Sequence, residues 1–496
     1  MRFAKTFIAV LIVGVYLSAC SSDETPKQAQ LDKDQQLIVA NAGETAIDWH
    51  QVWRSFHLEP RWQRGLSKEA AFANQLNYLI DQKLYAAEAR KAGLDKTAEV
   101  KGQLDFINQK EMLKALYAEE VASNVEISDA EYQSAYVKLK KRVKLAFIAT
   151  PNKERAEKYR SLLSSKPHDQ IVLVNPAQDE VGVTPFFSLG DMEERLEKAA
   201  FSLALNEVSE PVRIEGKYRI VKLIDSERDL FMSEMDLAEK KSKIHKVLFN
   251  RKARKFSDKI LYDTLKDKDV DIQREAFFAL LSHLEDIVEN KESDDAMPVY
   301  LTNPEIRKTL QSSGELKNEV LVKFNGGEMT VGSFMQDLLN RPTGLRPQVN
   351  MAAPLKKAIA VAVRDHALLK LANEKNLQDS PTVRYEVALQ SDQLLARYWL
   401  KEQRKTHSVS QSAIATFAAS DRLKTLKKQF GDKLDKAAMK NIQTDYFFTQ
   451  KRMALSDSLR NIYKVKMDSS LVLQKIGDPE TILDKNHIDF VFRENY

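Results

Sequence analysis

Two stretches of this chain spell the same pattern, and a duplicated pattern restricts the fold more than any single motif does. Ala42-Gly43-Glu44-Thr45-Ala46-Ile47 resembles Gly326-Gly327-Glu328-Met329-Thr330-Val331 at an offset of 284. Each follows a β-prone run, Leu37-Ile38-Val39 or Val320-Leu321-Val322-Lys323-Phe324, so each reads as a two-strand ribbon turning through Gly. A helix comes next, Phe72 to Ala92 or Leu355 to Lys375. Within it Leu84 to Ala89 falls against Ala367 to Ala372 at an offset of 283. Gly93-Leu94 and Asn376-Leu377 stand where a left-handed cap is expected. Thr97 to Val121 and Pro381 to Lys405 then read as second helices, after which Ser128 and Ser410 make natural N-caps.

The return arms match at a different offset. Phe249-Asn250-Arg251-Lys252 and Ser257-Asp258 correspond to Phe448-Thr449-Gln450-Lys451 and Ser456-Asp457, each 199 residues later. Each arm runs into a possible closing strand, Val270-Asp271-Ile272 or Tyr463 to Met467. The fall in offset places about 84 extra residues in the first copy, between its outgoing and returning helices. That surplus alternates like a strand at Val143 to Ala149, turns helical at Lys153 to Leu163 and Met192 to Leu203, and ends in a strand at Lys217 to Leu223. Strands at both ends suit an insertion, whose termini must lie close together. The strands near Val143–Ile148 and Tyr218–Leu223 are therefore expected to be neighbours. The helix at 240–263 is expected to return onto helices 72–92 and 97–121.

Cys20 is the only cysteine, and it follows Leu17-Ser18-Ala19 after a short apolar run from Phe7 to Tyr16, with Arg2 and Lys5 ahead of it. This is the layout of a lipoprotein signal peptide with Cys20 as the lipidated residue. The apolar run is shorter than the roughly 20 residues a membrane span needs. The chain beyond Cys20 is expected on the periplasmic face of a bacterial envelope. Ser21, where inner-membrane retention signals usually carry Asp, favours the outer membrane. Removing Arg2 and Lys5 lowers the formal net charge from +5 to +3, which argues against a dedicated nucleic-acid binder. Without a second cysteine no intramolecular disulfide forms, so packing must supply the stability.

Four segments of the surplus carry a resemblance. Phe187-Ser188-Leu189-Gly190-Asp191-Met192, Glu197 to Leu203, Glu207-Val208-Ser209-Glu210-Pro211-Val212 and Gly216 to Leu223 together resemble the C-terminal half of a parvulin-type (PpiC-like) peptidyl-prolyl isomerase domain. The flanking helices resemble the chaperone module of the SurA and PrsA family of extracytoplasmic foldases, in which a parvulin domain is likewise inserted. The fold this implies is mainly α with an α+β insert, the helical chaperone module present twice. Residues 1–20 are the signal peptide and 21–35 a tether. Residues 36–137 are the outgoing part of the first module, 138–226 the parvulin-like domain and 227–272 the return helix. A helical linker at 273–317 precedes the second module at 318–420, and 421–496 hold its return helices and C-terminal strand.

The resemblance also exposes departures. The histidine that parvulin domains carry before Ile-Leu on the first strand is Phe147 here, and the histidine of the last strand is Arg219. Val181-Gly182-Val183-Thr184-Pro185 replaces the Gly-Gly-Asp-Leu-Gly turn. Met192 keeps the apolar pocket position, Leu196 stands in place of phenylalanine, and Ser209 matches the usual serine. The positions matching the catalytic site are thus Phe147, Met192, Leu196 and Arg219. A substrate slot would be lined by Met192, Leu196, Phe201 and Ser209. Prolyl isomerisation faces a barrier of about 20 kcal/mol set by amide resonance. Phe147 cannot hydrogen-bond and Arg219 brings a fixed charge, so the site reads as degenerate, with apolar binding retained.

No zinc-protease, nucleophile-elbow or phosphate-loop motif occurs, and the histidines stand singly. No cofactor, metal or ATP is implied. Trp49, Trp53, Phe56 and Trp62 form either the first module's core or a client-binding rim. Lys240-Lys241, Lys243, Lys246, Arg251-Lys252 and Arg254-Lys255 form a basic arm, either a solvated face or a contact for anionic headgroups. The resemblance implies a foldase or chaperone for unfolded or assembling envelope proteins. The competing class is an assembly or scaffolding lipoprotein of a secretion or polysaccharide-export system. Cys20→Ser is expected to leave an uncleaved precursor or to release soluble protein, because the thiol carries the acyl group; membrane fractionation with radiolabelled palmitate checks it.

Overall fold

The computed structural model describes residues 37–58, 67–229, 233–289, 300–349, 351–407 and 436–477, with isolated positions between 408 and 435. Cys20, Trp62 and Ser410 lie outside the described residues. In chain order, strands β1 (Ile38–Ala42) and β2 (Thr45–Asp48) precede helices α1 (Trp49–Leu58), α2 (Lys68–Lys91), α3 (Ala98–Glu120) and α4 (Asp129–Leu139). Then come β3 (Lys141–Thr150), α5 (Lys153–Ser165), β4 (Glu180–Val183), α6 (Glu194–Ser202), β5 (Val212–Ile214), β6 (Lys217–Arg228) and α7 (Glu234–Leu265). Next are β7 (Asp271–Ile272), α8 (Arg274–Glu289), α9 (Asn303–Ser312), β8 (Val320–Phe324), β9 (Gly327–Thr330) and α10 (Val331–Asn340). The chain continues through α11 (Ala352–Glu374), α12 (Pro381–Lys405), α13 (Lys436–Ile462), β10 (Lys466–Met467) and α14 (Ser469–Gly477). The protein is mostly helical, with three small antiparallel sheets. Among the described residues no helix is long and apolar enough to cross a membrane.

Tyr117–Leu261 form one compact unit, and the residues up to Leu116 with those from Tyr262 onward form another. In the larger unit β1 and β2 make a ribbon that turns at Gly43, where φ is +64°. A Cβ on Gly43 would lie 2.9 Å from the Tyr463 ring, so both the turn and the arriving C-terminal arm require glycine there. Gly93 and Asn376 hold the expected left-handed conformation after α2 and α11, at φ +70° and +55°.

The closing strands form, and they exchange ribbons. β10, which follows the second return arm, pairs with β1 through Ala40↔Met467 and Asn41↔Lys466. β7, which follows the first arm, pairs with β8 through Asp271↔Lys323 and Ile272↔Val322. A two-stranded ribbon is marginal in water, so each ribbon gains from a third strand, the first from the far end of the unit and the second from the segment before it.

Helix α2 supplies the core beneath the first ribbon. Phe72, Leu76, Leu79, Ile80 and Leu84 recur at helical spacing and are all buried, packed on Val39 and Ile47 of the ribbon and on Leu394, Leu395 and Trp399 of α12. Each such side chain contributes roughly 1.5–3 kcal/mol when fully buried. Phe72 is stacked between Trp49 and Phe56, with ring centroids at 5.5 and 3.9 Å, and Trp53 packs on the same cluster. Trp49 is thus core, with Trp53 and Phe56 packed on it and partly exposed.

A buried charge set pins α2 to α12. Asp392 accepts from Lys83 at 2.7 Å and from Arg90 at 2.5 Å, and the Lys83 and Asp392 side chains are only 7% and 8% exposed. Removing Asp392 would strand Lys83 in a dry interface, which typically costs 3–5 kcal/mol. A second core joins α8, α9, β8, α10 and α11 through Leu280, Leu284, Ile306, Leu321, Phe334 and Ile359.

The exchanged closure generates a prediction. In a Cys20→Ser background, Asn41→Cys with Lys466→Cys should oxidise to an intramolecular disulfide, because directly opposed strand residues sit within bridging distance. Asp271→Cys with Lys323→Cys should do the same, whereas Asn41→Cys with Asp271→Cys should not. Non-reducing peptide mapping reads all three.

Candidate functional site

In the smaller unit, β3 is the centre of a sheet ordered β4-β3-β6-β5. Its alternation lays even and odd residues on opposite faces. Ile148, Ile220, Tyr159, Leu163 and Ala156 form the core beneath α5. Val143, Leu145, Val221, Leu223 and Ile214 form the other core, with Leu196 and Ala200 of α6 packed on it. β3 and β6 pair antiparallel from Lys141↔Arg228 to Thr150↔Tyr218, so the two strands expected to be neighbours are. Ser128 caps α4 in a capping box with Glu131, and Asn152 caps α5.

Four of the residues singled out from the sequence meet on the α6 face. Phe147, Met192 and Phe201 are half-buried around the cluster that contains buried Leu196. The Phe147 ring lies over Gly182 of the edge strand, where a Cβ would sit 3.1 Å away. Phe201 meets Phe187 edge to face at 6.4 Å, and the Lys141 ammonium lies 5.8 Å from its centroid.

Arg219 stands two residues from Val221, the cross-strand partner of Phe147, and so projects from the same face of β6. It is half-buried, and its Nε is buried without a hydrogen-bond partner. Ser209 is placed differently from its expected substrate role. Its hydroxyl accepts from the Val221 amide at 3.1 Å and donates to the Glu210 carbonyl at 2.8 Å, tying the loop to β6. The two positions that would carry a hydrogen-bonded polar core hold a phenyl ring and a guanidinium instead. What the face offers is apolar surface with one fixed charge at its end.

The loop carrying Met192 is held by groups that sequence reasoning did not single out. Asp191 accepts from the Ser188 amide at 2.8 Å and hydroxyl at 2.9 Å, and Lys243 of α7 lies 3.6 Å away. Burial works to raise the Asp191 pKa, but the Ser188 donors and Lys243 outweigh it and hold the carboxyl below its ordinary value. Glu193 caps α6 through the Arg195 and Leu196 amides. Leu189 is 1% exposed, in a cluster with Ala135 and Tyr136 of α4 and Ile244, Val247 and Leu248 of α7. The sequence assigned this helix to helices 72–92 and 97–121; the apolar partners it has in this unit are α4 and Leu189. Much of the basic arm is paired as well: Lys240 with Asp236, Lys243 with Asp191, Arg251 with Glu197 and Lys252 with Glu131. Glu131 is drawn down to about 2, chiefly by its hydrogen bond from Lys252.

The apolar reading of the face has a measurable consequence. Phe147→Ala should destabilise the smaller unit by about 2 kcal/mol, below the cost at a fully buried site because the ring is half-exposed. Arg219→Met should change stability by less than about 0.5 kcal/mol or raise it, since the buried Nε has no partner to lose. Amide exchange of β3 and β6 distinguishes the two.

No family model matches the chain. It is 25% identical over 183 residues to the foldase protein PrsA of Geobacillus sp. strain WCH70, a match covering 33% of this chain and 62% of that relative, less than two thirds of its length. PrsA of Halalkalibacterium halodurans is 27% identical over 305 residues, covering 56% of this chain and 88% of the relative. A parvulin-like PPIase of Rickettsia conorii is 24% identical over 213 residues, covering 39% of this chain and 75% of its own. The chain is thus similar in sequence to PrsA foldases and to a parvulin-like PPIase.

Proposed function

We propose that this protein is a lipid-anchored foldase of the bacterial envelope that binds unfolded or assembling exported proteins, its parvulin-like domain serving as a binding module rather than a competent isomerase. The observation that carries this reading is the α6 face. Phe147, Met192, Leu196 and Phe201 gather there as apolar surface, while the positions for two histidines hold Phe147 and Arg219. An apolar slot can hold a prolyl or aliphatic side chain, but no neutral hydrogen-bonding pair is present to ease rotation about the amide. The chaperone part is a helical module used twice, in 36–272 and 318–496, with the α/β domain inserted in the first copy. Support for the duplication comes from the recurrence of ribbon, short helix and two long helices at β1 to α3 and at β8 to α12. The lipoprotein signal ending at Cys20 supports the envelope location and the outer membrane.

Two assays together test the proposal. The full chain should suppress aggregation of several unrelated unfolded proteins, and it should accelerate cis–trans exchange of an X-Pro peptide poorly in protease-free NMR exchange. Phe147→His combined with Arg219→His should raise exchange more than either change alone, because the two groups act as a unit. Turnover by the wild type equal to that of an active parvulin would overturn the binding-only reading. Protection of one partner alone, with no general suppression, would overturn the foldase reading.

A further inference from the structure

The segment that presents Met192 is braced on both sides by one helix, α7. On the near side Leu189 is buried between α4 and α7. Gly190 follows at φ +89°, where a Cβ would lie 2.4 Å from Val247 Cγ2, so the chain approaches α7 more closely than any side chain permits. On the far side Glu197 of α6 is buried, and its two oxygens are divided between the loop and α7. Oε2 accepts from the Gly190 amide at 2.7 Å, and Oε1 accepts from Arg251 Nη2 at 2.8 Å. Met192 and Leu196 sit between these two attachments, and α6 carries Phe201 onward from the second.

We propose that Arg251 is a positioning residue for the client-binding face, acting through Glu197 to fix the Met192 loop and the start of α6 against α7. The proposal rests on the reading of that face as a client slot. The charge-assisted bonds are short and directional, and they are made by a carboxylate with almost no access to water, so the loop geometry depends on them far more than on a surface ion pair. By linkage, a client that binds the braced arrangement better must also tighten the hold on α7. Occupancy of the face is thus coupled to a helix outside the α/β sheet.

The test uses the full chain labelled at methionine methyl groups, with the Met192 signal assigned by its loss in Met192→Leu. The probe is a short apolar X-Pro peptide. Arg251→Met should move or broaden the Met192 methyl signal and weaken peptide binding about tenfold, while amide protection of β3 and β6 stays unchanged. Arg251→Lys, which keeps the charge on a different donor, should recover most of both. An unperturbed Met192 signal in Arg251→Met overturns the proposal, as does lost protection across the whole sheet in step with the methyl change, which would mark a merely structural pair. Should Arg251→Met fail to fold, Arg251→Lys decides: a partial Met192 shift supports the brace and none overturns it. If wild type binds no peptide, the function reading fails, while the methyl response still decides whether Arg251 positions the loop.

Discussion

Each ribbon in the larger unit is two strands wide and becomes three only when a strand following a return arm joins it, for the first ribbon one from far along the chain. β10 completes β1–β2, and β7 completes β8–β9. Two residues of pairing hold little energy by themselves, but they fix where the return arms end. The arms in turn place Leu459 and Tyr463 against the core built on α2. The seam between α2 and α12 is consistent with this. Tyr85 stacks on Trp399 at 5.1 Å and Lys83 meets Asp392 in a dry contact, so α2 buries its outer side against α12. Ribbons, arms and helix seam therefore stabilise one another, and the long sequence separations imply slow, cooperative assembly.

The smaller unit follows a different logic. Its sheet is closed locally by the long β3–β6 pairing, and both faces are covered by helices of its own segment. Its specialised face is shaped by what the sheet lacks and by what α7 adds. Phe147 adds a phenyl ring to the apolar cluster, and Arg219 stands on the same face of the sheet with its Nε buried and unpaired. The Leu189 plug and the Glu197–Arg251 pair then hold that contact surface in register with a helix that belongs to no strand of the sheet.

Much of this was legible in the order of residues. The ribbons followed from β-prone runs before Gly43 and Gly326, the long helices from apolar spacing, and their ends from Gly93 and Asn376, which adopt the left-handed conformation such caps need. The two long strands of the smaller unit, β3 and β6, followed from alternation, whereas β4 and β5 did not. That Phe147 offers no hydrogen bond and Arg219 a fixed charge is a property of their side chains, whatever surrounds them. Periodicity decides which side of an element is apolar, because that depends only on residue spacing. It does not decide what the apolar side meets. The strand at 271–272 could have joined either ribbon, since two residues carry no register information. The basic, apolar-striped helix α7 could have found its partners in several places. Ser209 read as a substrate contact and is a tie between backbones, while Glu197, which the sequence did not single out, is a buried ion-pair partner of Arg251. The sequence determined the elements and the chemistry each could offer. Only the tertiary structure decided which ribbon each strand closed and which helix braced the Met192 loop, because partner choice depends on complementary surfaces brought together from different parts of the chain.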